Sequence, residues 1–143
     1  VFCKIVKGEL HSFKVYEDEE YLAVLDINPN TEGATILMSK EHMHPYIVDA
    51  SDEIYGKFFG KARRVARILT ERLNAERVAI VLEGMGMDHA HLKIYPLHGI
   101  GKGALSVSED KVFFDEYPGF VTTKLGPEAS KAELEKVAKK IWE

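Results

Sequence analysis

Residues Asp88 to Pro96 read D-H-A-H-L-K-I-Y-P. If this stretch is a β-strand, its side chains alternate: His89, His91, Lys93 and Tyr95 fall on one face, and Ala90, Leu92 and Ile94 on the other. The second set is apolar and suits a core. The first is a poor core filler, because buried imidazoles and ammonium groups need partners or lose their charge. Two imidazoles and an ammonium aimed at one space are instead well suited to meeting a phosphate.

The flanking segments predict a sheet built around that strand. Val78 to Leu82 (V-A-I-V-L) reads as a neighbouring strand, joined to it through the turn Glu83-Gly84-Met85-Gly86-Met87. Upstream, Phe13 to Glu17 and Tyr21 to Ile27 are short apolar or aromatic runs split by the acidic turn Asp18-Glu19-Glu20, which suggests a pair of strands. Ala34 to Ser39 adds another after the turn-forming Asn28 to Gly33, and Pro45 closes the K-E-H-M-H-P segment that follows. Ser51 with Asp52 and Glu53 starts a helix, and Ile54, Phe58, Ala62, Val65, Ala66, Leu69 and Leu73 recur at helical spacing until Asn74. Residues 99–143 read as a glycine-bearing loop with one short strand. A closing helix follows, opened by the capping box Ser130/Glu133 and striped by Leu134, Val137, Ala138 and Ile141. The expectation is an α+β fold: a mainly antiparallel five-stranded sheet with one long helix and a C-terminal helix. Residues 1–143 are expected to form one domain, with the motif-bearing core in 1–98.

The composition narrows the function. A formal charge of -4 and a pI near 5.9 carry no global footprint for long nucleic acid, and no apolar run approaches a membrane span. A single cysteine, Cys3, forms no intramolecular disulfide and suits a reducing, cytoplasmic setting.

Four of the six histidines occur in two H-x-H pairs, His42/His44 and His89/His91. A neutral imidazole can attack phosphorus if one ring nitrogen carries its proton to an acceptor, leaving the other lone pair aimed at substrate. A neighbouring imidazole or ammonium then stabilises the phosphoryl charge.

In this setting the order of segments F-C-K-I-V-K-G-E-L, V-Y-E-D-E, L-D-I-N-P-N-T-E-G-A-T-I-L-M-S-K-E-H and H-A-H-L-K-I-Y-P resembles the histidine triad (HIT) family of nucleotide hydrolases and transferases, over roughly Phe2 to Pro96. The resemblance implies a HIT-like fold, a homodimer, and a purine nucleotide or nucleotide conjugate as partner. Pro96 fixes the register, so that His91 falls on the nucleophilic histidine, His89 on the first histidine of the signature strand, and His42 on the upstream histidine beside it. The reaction it implies has two steps at an α-phosphate. A nucleotidyl-histidine forms, then water or another acceptor releases the nucleotide from a phosphoramidate or dinucleoside polyphosphate, with no metal required. Asp26 would receive the ribose hydroxyls, with Ile27 and Asn28 near the base. Glu83 and Gly84 start the loop on the leaving-group side, and His98 lies just past the signature strand.

Two departures matter. Lys93 replaces the third histidine of the signature: it keeps a cation and a proton donor, but an ammonium normally holds its proton more tightly than an imidazolium, so hydrolysis and transfer both stay open. The loop at Glu83 is also shorter than in many relatives. Some bacterial relatives bind structural zinc through C-x-x-C and two histidines; here Cys3, His42 and a second histidine would contribute, the first cysteine falling immediately before Val1. Two rival readings stand beside the enzyme. One is a noncatalytic nucleotide sensor that lost the acid at Lys93, and the other is a metal-dependent enzyme built on the two H-x-H pairs.

Overall fold

The computed structural model describes residues 1–101, 110–119, 121–122 and 127–134. Contacts divide the chain into two compact units, Val1–Ala104 and Leu105–Glu143.

The first unit holds a five-stranded antiparallel sheet in the order β1-β2-β3-β5-β4, formed by β1 (Lys14–Glu17), β2 (Tyr21–Leu25), β3 (Thr35–Ser39), β4 (Arg77–Val81) and β5 (His91–Leu97). The expected α+β architecture is therefore observed. A short helix, α1 (Phe2–Val6), precedes the sheet, and a 3-10 turn (Ile47–Asp49) leads into the long helix α2 (Asp52–Leu73). Ser51 caps α2 by accepting a hydrogen bond from the Ile54 amide at 3.3 Å, and Asn74 ends it in the left-handed conformation at φ 52°. Phe58, Ala62, Val65 and Leu69, spaced at three and four residues, form the buried stripe of α2. They pack on Tyr21, Ala23, Leu37, Leu92 and Ile94, which form one face of the sheet. Each large side chain enclosed there contributes about 1.5–3 kcal/mol.

The opposite face is covered differently. Phe2 of α1 joins Leu22, Val24 and Met38 in a second cluster, flanked by the half-buried Ile5, Val6, Ile36 and Met87. Helix α1 was not expected from periodicity, since five residues are too few to show one.

The sequence placed the signature strand at His89–Tyr95, but β5 runs His91–Leu97. His89 is held by a tight turn, its amide donating to Met87 O at 2.9 Å, and the Ala90 amide donates to Met43 O at 3.0 Å in the loop after β3. At the other end β5 continues through Pro96. The last β3 pair is Thr35↔Ile94, so the proline stands where β5 has a partner only in β4.

In the second unit, the Ser130/Glu133 capping box forms as read: the Ser130 amide and hydroxyl donate to Glu133 Oε2 at 2.9 and 2.6 Å, and the Glu133 amide donates back to Ser130 Oγ at 3.3 Å. Val137, Ala138 and Ile141 lie outside the described residues, and the described part of 99–143 contains no strand.

Candidate functional site

The sheet face turned away from α2 gathers the polar residues. Along β5, alternation puts His91, Lys93 and Tyr95 on this face, and Leu92 and Ile94 against α2. The registers Met38↔His91, Ile36↔Lys93 and Val81↔Lys93 carry the same face onto β3 and β4. On β2 it continues through Leu22 and Val24 to Asp26, whose amide extends the pairing by donating to Ala34 O at 2.8 Å.

His91 is only 3% exposed, yet it is positioned rather than merely packed. Its Nδ1 lies 2.8 Å from the His89 carbonyl. A carbonyl can only accept, so Nδ1 carries a proton, and in the neutral ring the lone pair is therefore on Nε2. That Nε2 has no protein partner. Among the described residues no enclosed side-chain nitrogen or oxygen lacks one, so Nε2 is the part of the ring that reaches solvent. The Phe2 ring meets the imidazole edge-on, with centroids 5.2 Å apart.

His89, 2% exposed, faces elsewhere. Its Nε2 donates to the Ser39 carbonyl at 2.7 Å, which leaves the Nδ1 lone pair directed at Cys3 Sγ (3.3 Å) and His42 Nδ1 (3.4 Å). Burial pulls the His89 imidazole below its ordinary pKa, the Ser39 carbonyl works in the opposite sense, and the nearby His42 and His91 lower it further. His89 and exposed His42, both expected beside the nucleophile as catalytic groups, are thus brought together with Cys3, and Cys3 Sγ lies 3.6 Å from His42 Nδ1.

The triangle has the dimensions of a metal site. A tetrahedral Zn²⁺ with its usual bond lengths sets nitrogen ligands about 3.3 Å apart and nitrogen and sulfur about 3.6 Å apart. The observed edges are 3.3, 3.4 and 3.6 Å. Both imidazole Nδ1 atoms and one thiol form a donor set that zinc favours, and the Ser39 carbonyl fixes the His89 ring as a second-sphere acceptor does for a metal-bound histidine.

Lys93 pairs with Glu83 across β5 and the end of β4, with side chains 30% and 9% exposed. Continuing the β4–β5 register by two residues beyond Val81↔Lys93 puts Glu83 opposite His91. Tyr95 shares this space: burial raises its phenol pKa, and the charges of Lys93, Glu83 and Asp26 all act on it.

The remaining expected residues are more dispersed. Asp26 accepts the Asn28 amide on Oδ1 at 2.8 Å, an Asx turn, and its Oδ2 is free to accept from a bound hydroxyl. Ile27, 83% exposed, and exposed Asn28 follow it on the surface. Gly84, at φ +65°, holds the turn after β4 so closely that an added Cβ would lie 3.1 Å from Tyr46. His98 is not beside His91. Its Nε2 donates to Glu32 O at 3.0 Å, and at about 3.3 Å per strand residue it lies roughly 20 Å along the chain from His91. His44 belongs to the loop, where it accepts the Tyr46 amide at 3.3 Å. Sequence reading missed Phe2 and Ser39 as parts of the site. Ser39 acts through its carbonyl, which no side-chain motif reveals, and Phe2 had no signal beyond its neighbour Cys3.

Residues 7–99 match the profile of the HIT domain. The chain belongs to the HIT family. "Protein hit" of Bacillus subtilis is 34% identical over 108 residues, covering 72% of this chain and 74% of the relative. The adenosine 5'-monophosphoramidase hnt1 of Schizosaccharomyces pombe is 30% identical over 149 aligned positions, covering 99% and 97%. Among solved structures, a zinc-bound histidine triad family protein from Mycobacterium smegmatis superposes with a TM-score of 0.61 at 30% identity, covering 76% of this chain and 82% of the other. As a HIT domain the chain belongs to a family whose members include named nucleotide hydrolases. Lys93, expected from the resemblance to stand at the third histidine of the signature, is half of an ion pair.

Proposed function

We propose that the protein is a nucleotide hydrolase or nucleotidyl transferase that works at an α-phosphate through His91, on a nucleoside phosphoramidate or a dinucleoside polyphosphate. The observation that carries this reading is the tautomer of His91: the His89 carbonyl holds Nδ1–H, so a neutral ring presents its Nε2 lone pair to solvent. In the first step Nε2 forms a bond to phosphorus while the bond to the leaving group breaks and its electron pair departs with that group. In the second, water or another acceptor attacks phosphorus, the N–P bond breaks, and the nucleotide leaves with His91 neutral again. Asp26 Oδ2 serves the ribose hydroxyls, orienting a nonreacting part of the substrate.

The Cys3–His42–His89 triangle would hold zinc, which when bound supplies a structural cross-link between α1, the loop after β3 and the start of β5. The zinc-bound Mycobacterium smegmatis relative supports this reading. A homodimer is compatible with the sheet, which ends in two edge strands, β1 and β4, either of which could pair with a second copy. The one thiol, Cys3, fits a reducing cytoplasm.

The test is intact-protein mass spectrometry after brief mixing with adenosine phosphoramidate and, separately, diadenosine tetraphosphate. A nucleotide-sized adduct or released mononucleotide, lost in His91→Ala while that variant keeps its fold and its affinity for AMP, is the expected result. AMP binding with neither adduct nor turnover would replace the enzyme with a nucleotide sensor. Turnover abolished by chelation and indifferent to His91→Ala would replace it with a metal-dependent enzyme.

A further inference from the structure

The Lys93–Glu83 pair is the one feature of this face that a generic phosphate site does not call for. A site built to receive phosphate gains from every uncompensated cation. Here the ammonium nearest His91 along β5 is matched by a carboxylate, so the pair adds no net charge. The carboxylate is not a loose surface group. Glu83 has a side chain 9% exposed, its Oε1 accepts from Lys93, and its Oε2 has no partner among the described residues and therefore opens to solvent by the same argument that applies to His91 Nε2. The β4–β5 register stands it opposite His91.

We propose that Glu83 determines specificity for the charge of the leaving group, admitting a neutral or cationic amine and disfavouring a polyphosphate. This deepens the proposed function and rests on it. A polyphosphate leaving group carries several negative charges, and each meets the fixed carboxylate in a partly desolvated setting, where repulsion is stronger than in water. An amine leaving group carries none and acquires a proton as it departs. When His91 Nε2 bonds to phosphorus and the P–N bond to the amine breaks, the electron pair stays on the amine nitrogen. That nitrogen takes a proton from the Lys93 ammonium, and Lys93 is reprotonated by the water that cleaves the nucleotidyl-histidine. Without that proton the nitrogen would have to leave as an amide anion, a far stronger base than an amine, so a proton donor such as Lys93 suits this leaving group where an already stable polyphosphate needs none.

The test compares kcat/KM for an adenosine 5'-phosphoramidate bearing an alkylamine with kcat/KM for diadenosine tetraphosphate, in wild type and in Glu83→Gln, at low and high salt. Glu83→Gln preserves shape and removes the charge. It should raise the ratio of polyphosphate to phosphoramidate turnover by about tenfold or more at low salt, the change shrinking as salt screens it. A ratio that moves by less than about twofold overturns the inference while leaving the nucleotidyl-histidine chemistry intact, provided that turnover of both substrates still requires His91. Loss of that requirement would sink the functional reading itself. Should Glu83→Gln not fold, the wild type decides: it should prefer the phosphoramidate by about tenfold at low salt, and equal use of the two substrates overturns the proposal.

Discussion

Phe2→Ala probes the link between α1 and His91. Phe2 is 7% exposed and packs with Leu22, Val24 and Met38, its ring edge-on to His89 at 5.9 Å and to His91 at 5.2 Å. Truncating a phenylalanine so enclosed costs about 3–5 kcal/mol where the surroundings cannot relax. In this fold the loss has a ceiling. Helix α1 has five residues, and without Phe2 its remaining apolar contacts are the half-buried Ile5 and Val6. Once α1 detaches nothing further is lost, so about 2–3 kcal/mol is the expected destabilisation. At roughly 3 °C per kcal/mol for a chain of this size, Tm should fall by roughly 6–9 °C. Removing the ring also relieves the burial that depresses His89, whose imidazole pKa should move back up toward its ordinary value. Denaturant unfolding gives the first quantity and histidine-resolved NMR titration the second. A loss under about 1 kcal/mol, or an unmoved His89, would mean that α1 does not seal the histidine face in solution.

Gly33→Ala should cost about 2–4 kcal/mol in a urea melt, since Gly33 sits at φ +83° and a Cβ there would come within 2.2 Å of Leu73 Cδ1 and 3.2 Å of Pro96 Cγ. A neutral outcome would show that Leu73 can swing aside. Asp18 accepts from Lys61 and Tyr16, each at 2.6 Å, and from the Glu20 and Tyr21 amides; burial pushes its pKa up, but these donors outweigh it and hold the carboxyl well below the usual range. Its stabilisation is therefore complete above about pH 4 and drains as pH falls from there toward the depressed folded value. Asp18→Asn should be about 2 kcal/mol less stable at pH 7 and converge with wild type in acid, and stability curves that stay parallel down to low pH would contradict the assignment. Zinc at 100 times its dissociation constant should stabilise the protein by about 2.7 kcal/mol, an effect that Cys3→Ser or His42→Ala weakens. Thermal melts with and without the metal read this directly, and indifference to zinc would leave the triangle as a set of hydrogen bonds.

Local pattern was sufficient for most of the fold. The α2 stripe of Phe58, Ala62, Val65 and Leu69 and the alternation of Leu92 and Ile94 against His91 and Lys93 are consequences of periods of 3.6 and 2, which the chain carries without reference to partners. The strand ends were less legible. Where β5 begins depends on Met43, whose carbonyl takes the Ala90 amide, and where it ends depends on β3 stopping at Thr35. Within the site, the polar face that carries His91 was legible from alternation and the register against Pro96, whereas the groups that the ring nitrogens of His89 and His42 face were not.

The sequence by itself determined the five strands and the long helix to within a few residues, the polar face of β5, and the family resemblance through its ordered segments, because each of these is encoded by residue type and short-range spacing. Only the tertiary structure decided which way the imidazoles turn. Cys3, His42 and His89 lie 39 and 47 residues apart along the chain, and the acceptor that orients His89 is a backbone carbonyl 50 residues away. Lys93 likewise gains its meaning from Glu83 across a strand pair. Proton position and net charge in a site follow from the groups that packing brings within hydrogen-bond reach, and a linear pattern of side chains does not specify those distances.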